Sequence, residues 1–410
     1  MQHRYRRCYT KTYNQNTLRL PTRYCTSTVS GVPPATAFMP SARNHTLDHI
    51  KAIACLTIVC HHLAFYGPMT DVLRPVLPAV LQWLDVYGRM AVQVFLVLGG
   101  YLAAAALAPQ GQGSDTPPHT LWGKRFVRLC LPYCAALLVA IVVNESVRYA
   151  GFDHDSVSAT PTWSSVLAHL LLVQSIGGWE ALSAGVWYVA IDFQLYALCV
   201  LWFWLSSRAT AWPWLGKVGV LVLATLSLWH WNLDSSWDNW ALYFVGAYGM
   251  GMMAWWAAHS PQHRQRWLWV LAIAVLGAVA LQMAWRDRIA LATISALMLA
   301  LGGQIRWPAA LRDMQLAPLA WIGQRSYSIF LIHFPVSLLV NACVHLLWPD
   351  SVAMNALGVL LAIGLSIAAG AVLYAFTERP RASWKRLHLW QLTALSAGMA
   401  ALAASTYASS

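Results

Sequence analysis

The sequence predicts an all-α protein, a polytopic transmembrane helical bundle of ten or eleven spans. Of its 410 residues 58% are hydrophobic and only 10% charged, where a soluble domain carries roughly 25% charged residues. Apolar runs long enough to cross a bilayer follow one another from residue 47 to 407. The connections between them are short, leaving no stretch for a separate soluble domain of ordinary size.

Residues 1–46 are polar, rich in Arg, Tyr and Thr, and lack the apolar core of a signal peptide. They read as a disordered cytoplasmic tail, with Met39 a candidate native start. The spans are expected near 47–66, 88–108, 126–147, 186–206, 215–231, 240–258, 268–284, 288–304, 326–348, 355–377 and 388–407. Residues 47–380 form the membrane domain, and 381–410 a basic connection and an additional C-terminal transmembrane helix. The segment 163–176, WSSVLAHLLLVQSI, is too short to cross and is expected in the interface or as a re-entrant helix.

The formal charge is +12, and its placement explains it. With the N-terminus inside, the cytoplasmic connections carry Lys124, Arg125, Arg128, Arg208, Lys217, Arg264, Arg266, Arg306, Arg312, Arg325, Arg379, Arg381, Lys385 and Arg386, against Arg74, Arg89, Arg148, Arg286 and Arg288 opposite. This fourteen-to-five bias follows the positive-inside rule and requires no nucleic-acid partner. Six of the eight cysteines lie in expected spans and only Cys8 and Cys25 outside, so no disulfide framework is indicated. No zinc-spaced motif or Gly-rich phosphate loop occurs, and no metal is expected.

Ionisable groups inside apolar sequence mark the candidate site, because such groups cost several kcal/mol in lipid and normally line a protein cavity. In LDHIKAIACLTIVCHHLAFY, residues 47–66, Lys51 and His62 are eleven residues apart. They therefore share one helix face, ~16 Å apart along it. The alternative is that Lys51 snorkels and His62 bonds between helices. Arg125 and Arg128, three apart in WGKRFVRLCLPY, would clamp phosphates or serve as membrane anchors. Asp192 lies some two turns into its span, in VWYVAIDFQLYAL, with Trp187, Gln194 and Tyr196 beside it.

By depth, Asp192 at about 9 Å and His62 at about 6 Å from the outer ends of their spans would meet. The aspartate would then support the histidine as a general base, or the two would form a structural pair. In IGQRSYSIFLIHFPVSLL, Ser326, Tyr327 and His333 share a span that Pro335 is expected to kink beside a cavity.

These stretches together resemble the acyltransferase-3 family of integral membrane acyltransferases. LDHIKAIA resembles its LDGLRGLA, and Lys51 and His62 fit its cation, ten residues and histidine. VQVFLVLGGYL resembles VDLFFVLSGFL, KRFVRLCLPY resembles RRFLRIYPLY, and VWYVAIDFQLY resembles LWSLSVEEQFY. GQRSYSIFLIHFPV resembles GRISYSLYLIHFPV, and the closing FTERP matches at Glu378 and Pro380. The order holds from about 47 to 380. Departures are Lys51 for arginine, Gln93 and Gly99 for an aspartate and a serine, and Asp192-Phe193 for two glutamates.

The resemblance implies transfer of an acyl group, commonly acetyl, from acyl-CoA (acetyl-CoA) to a hydroxyl of a sugar, glycan or lipid-linked acceptor in the cell envelope. It places the protein in a bacterial inner membrane, with no SGNH-type domain expected after the spans. His62 and Asp192 are then the expected catalytic pair, and Lys51, Arg125 and Arg128 the expected CoA-phosphate contacts. Trp187, Gln194, Tyr196, Ser326, Tyr327 and His333 would line the cavity. CoA would thread its pantetheine arm along the Lys51–His62 face, and His62 would act as base or as acyl-carrying nucleophile. The rival class is a proton-coupled transporter or flippase, although no inverted repeat is evident.

Overall fold

The computed structural model describes residues 45–302 and 316–409, and all regular structure among them is helical. Helix α1 (His45–Tyr66) leads into two short helices, α2 (Pro68–Leu73) and α3 (Pro78–Tyr87). A 3-10 turn at Gly88–Met90 joins α3 to α4 (Ala91–Leu107). Then come α5 (Pro118–Tyr149), α6 (Trp163–Leu170), α7 (Val186–Ser207), α8 (Leu215–Trp229), α9 (Ala241–Ala258), α10 (His263–Met283) and α11 (Asp287–Leu301). The chain closes with α12 (Ala317–Leu347), α13 (Val352–Thr377) and α14 (Trp384–Ser409). The expected tail lies outside the described residues up to residue 44, as does much of the expected 305–325 connection.

Each of the eleven expected spans coincides with a helix. Eight helical stretches among the described residues are long and apolar enough to cross a membrane: α1, α3 through α4, α5, α7, α10, α12, α13 and α14. Of the other three, α8 and α11 have 15 residues each, short of the ~20 that span a bilayer. Helix α9 has 18 residues and is buried on nearly every side, as expected of a helix that is apolar all round. It sits against α4, α8, α10 and α11. Its approach to α4 is so close that a Cβ on Gly100 would lie 1.8 Å from the Tyr248 carbonyl oxygen.

Helix directions alternate along the chain. We call the end of the bundle at which α1 starts its lower end. Asp48, Cys55 and His62 of α1 meet Gly323, Ser326 and His333 of α12 in that order, so these two run the same way. Helix α13 runs opposite, since Ser328 meets Glu378 while Val344 meets Gly358. Helix α5 runs upward with α12, Leu129 meeting Tyr327 and Val147 packing with Leu338. Helix α7 runs down against α5, where Trp122 donates to the Ala197 carbonyl and Arg125 meets Asp192. Helix α4 parallels α9, with Val97 beside Gly251 and Trp256 bonded to the Ala108 carbonyl. Helix α12 continues through Pro335 to Leu347 without interruption; membrane helices tolerate proline when neighbours satisfy the freed backbone groups.

The connection between α5 and α7 folds into the bundle. Asn144 Oδ1 accepts from the Ser158 N–H, and the Ser158 hydroxyl donates to the Ala181 carbonyl. His169 of α6 is fully buried, donating from Nδ1 to the Ser165 carbonyl and accepting the Leu182 N–H at Nε2. Burial pushes this imidazole down to about 4, so it stays neutral and can make both bonds. Helix α6 packs against α14 and does not cross. As a result α7 begins well inside the bundle: a Cβ on Gly185 would meet Phe330 of α12 at 3.3 Å.

Candidate active site

The site grows from the α1–α12 contact. His333 is wholly buried, and its Nδ1 lies 2.6 Å from the Phe330 carbonyl oxygen, which can only accept. In the neutral ring Nδ1 therefore carries the proton and Nε2 the lone pair. That Nε2 lies 2.7 Å from His62 Nδ1, so His62 donates to it. The rings are 11° from parallel with centroids 4.9 Å apart; nitrogens so close exclude face-to-face stacking and set the rings edge to edge. His62 is left with an unprotonated Nε2 that has no hydrogen bond among the described residues, on a ring that stays partly accessible. Tyr66 and Phe334 meet His62 edge-on at 5.7 and 6.1 Å. His61 points elsewhere, its Nδ1 donating to the Leu84 carbonyl at 2.9 Å.

Asp192 does not support His62. Its carboxylate is bonded to Arg125 at 2.5 Å, and Arg125 also lies over the Tyr196 ring, 5.0 Å from its centroid. The depth reckoning that joined Asp192 to His62 assumed that α7 starts at the membrane surface. In fact α7 starts level with Phe330 and descends, so all of it lies below His333. Asp192 is within electrostatic reach of Tyr327, six residues or ~9 Å below His333 along α12. The Arg125 clamp is altered by the same pairing: Arg125 turns into the bundle while Arg128 stays exposed. Gly99 stands where the resembled motif has serine, with Asp192 Oδ1 3.5 Å and the Tyr248 ring 3.0 Å from where its Cβ would be.

The other expected cavity residues mostly tie helices together. Gln194 Oε1 accepts from the Ala241 N–H at the start of α9. The Ser326 carbonyl accepts from Cys55 Sγ, and the Tyr327 hydroxyl donates to the Leu129 carbonyl at 3.0 Å. Trp187 packs on Phe244, ring centroids 5.8 Å apart.

At the lower end Lys51 pairs with Asp48 at 3.6 Å. Below α13, the Glu378 carboxylate accepts from the Ser328 hydroxyl at 2.5 Å and feels the charges of Arg128 and Lys51. Burial pushes the Glu378 carboxyl above its ordinary range, while Ser328 and the two cations partly offset this. Lys51 and His62 thus lie toward the same wall of α12 and α13, one at the lower end and one higher. Sequence reasoning named Glu378 only as part of a closing motif, and it gave His333 no partner. Both residues stood in recognisable motifs, but spacing along one helix does not show which residue on another will meet it.

No curated protein and no solved structure matches the chain. A family model described as an acyltransferase domain matches residues 44–375, a stretch that contains His62, Arg125, Asp192 and His333. The chain belongs to the acyltransferase-3 family and is a membrane acyltransferase.

Proposed function

We propose that this membrane acyltransferase moves an acetyl group from acetyl-CoA to a hydroxyl of a sugar, glycan or lipid-linked acceptor, with His62 as general base. One observation carries the reading: His62, on a partly accessible ring, holds an Nε2 with no hydrogen bond among the described residues, within a span whose lower end bears Lys51. The lower end is the cytoplasmic side by the charge bias, where CoA is available. Exposed Arg128 and half-buried Lys51 would take its phosphates, and Arg125, already committed to Asp192, would shape the wall beside them. The thioester reaches His62 along the α1 face. His62 Nε2 removes the acceptor O–H proton and the oxygen attacks the thioester carbonyl. The tetrahedral adduct expels the CoA thiolate, which takes the proton from the imidazolium. An acceptor approaching from above meets the donor without CoA crossing the bilayer.

The test is acetyl-CoA turnover by purified protein, followed as thiol release, together with mass spectrometry of envelope glycans from deletion and complemented cells. His62→Ala should lower turnover ~10²–10⁴-fold with acetyl-CoA binding retained, and the deletion should lose an acetyl-ester mass. Full turnover in His62→Ala removes it from the chemistry. Substrate uptake that needs no acyl-CoA would favour a transporter.

A further inference from the structure

We propose that His333 is the positioning residue of this site: it fixes the tautomer of His62 through a carbonyl–histidine–histidine relay and does the work first expected of a carboxylate. The proposal rests on the reading of His62 as the base. A histidine can act as base only from an unprotonated nitrogen, and a neutral ring left to itself populates both tautomers. Here the choice is made two residues away. The Phe330 carbonyl accepts from His333 Nδ1 at 2.6 Å, which leaves His333 Nε2 as an acceptor. That acceptor takes His62 Nδ1–H at 2.7 Å. A backbone carbonyl inside an intact helix cannot rotate, so the relay is anchored at its far end to the backbone of α12.

The same bond serves the reaction. When His62 takes a proton at Nε2, its Nδ1–H bond to His333 becomes charge-assisted, and such bonds are roughly twice as strong as neutral ones. The imidazolium is thus stabilised by a neutral acceptor. Among the described residues, the ionisable groups that act on His62 are His333 from α12 and His61 from its own helix, with the Tyr66 ring in contact. No carboxylate lies among them, and Asp192 is bonded to Arg125. A neutral partner also suits a site to which a polyanionic donor must come, since it adds no like charge.

The relay is tested by geometry and by rate. Nitrogen-15 spectra of histidine-labelled protein, assigned with His62→Ala and His333→Phe variants, should show His62 protonated at Nδ1 and bare at Nε2. A coupling across the N–H···N bond to His333 should be present and should vanish in His333→Phe. A His62 ring protonated at Nε2 in the neutral protein overturns the proposal whatever the activity. In acetyl-CoA turnover, His333→Phe should fall ~10–100-fold, the equivalent of one hydrogen bond to a charged group.

His333→Gln, which keeps an acceptor oxygen, should recover much of that loss. A packing role alone would not distinguish Gln from Phe in this way. The acid limb of the rate profile should move to lower pH in His333→Phe, because the imidazolium has lost its acceptor. Equal rates and profiles in the wild-type, Phe and Gln proteins overturn the positioning role. Normal turnover in His62→Ala, with the coupling present in the wild-type protein, would instead refute the base while leaving the relay's geometry standing.

Discussion

At the scale of single residues, the Arg125–Asp192 pair shows how a charge inside a membrane protein is kept. Asp192 is buried and Arg125 retains 28% of its side-chain exposure, so the ion pair is partly desolvated. Removing one partner leaves the other uncompensated, which for buried pairs costs about 3–5 kcal/mol; the remaining exposure of Arg125 places this pair at the lower end. Asp192→Asn and Arg125→Gln should each lower the unfolding midpoint of the solubilised protein. The double variant should cost less than the two single effects added, because the second substitution removes a charge already stranded. Additive effects in that cycle would show that the two side chains are not coupled. Asp192→Asn should also spare the His62 tautomer in nitrogen-15 spectra, since Asp192 bonds Arg125 below the histidines. A carboxylate at this position was legible in the sequence as functional or structural, but its partner was not.

At the scale of helices, the site depends on how closely α1 approaches α12. A Cβ on Gly323 would lie 1.8 Å from the Asp48 carbonyl oxygen, so only glycine lets the two backbones touch there. That contact lies below the His62–His333 bond on the same pair of helices. Gly323→Ala must part the helices by roughly 1 Å, since packed interiors leave no slack to absorb a methyl group. A 2.7 Å N···N bond stretched by that much falls outside hydrogen-bonding range. Acetyl-CoA turnover should then drop about as far as in His333→Phe, with a stability loss of about 1–3 kcal/mol from overpacking. Gly364→Ala is the control, because nothing lies within 4 Å of the added Cβ; it should change neither measurement. An unaltered rate in a folded Gly323→Ala protein would show that the helix contact does not set the site.

The helices themselves were legible because hydropathy in lipid is nearly a one-dimensional property. Their relative depths were not, and α7 is the instance. Its start is set by the 150–185 connection, held in by Asn144, Ser158 and His169, whose contacts lie in tertiary structure.

At the scale of the whole molecule, the helix directions constrain how many times the chain crosses the membrane. Helices α1, α5 and α12 run upward, while α7 and α13 run down. Helix α14 starts at the lower end, its Trp384 ring lying 6.2 Å from Phe126 of α5, and runs upward to where Gly398 meets Val166. If every helix from α7 to α12 other than the short α8 and α11 crossed alone, α9 would run against α4. It runs with it, so α8 must return the chain, and α11 must do the same after α10. Eleven crossings satisfy every observed direction, and they place the end of α14 on the side opposite its start.

The orientation proposed above, which follows the charge bias, puts the lower end in the cytoplasm. Single cysteines placed in a cysteine-free variant at Asp153 and Asp350, both exposed at upper connections, should react with a membrane-impermeant thiol reagent on intact cells. Cysteines at Gln110 and Gln262, exposed at lower connections, should react only after permeabilisation. Reaction at all four on intact cells would break the crossing count. Reversal of the two pairs would keep the fold but put Lys51 and Arg128 on the face away from cytoplasmic CoA, and the direction of acyl transfer proposed above would fail with it.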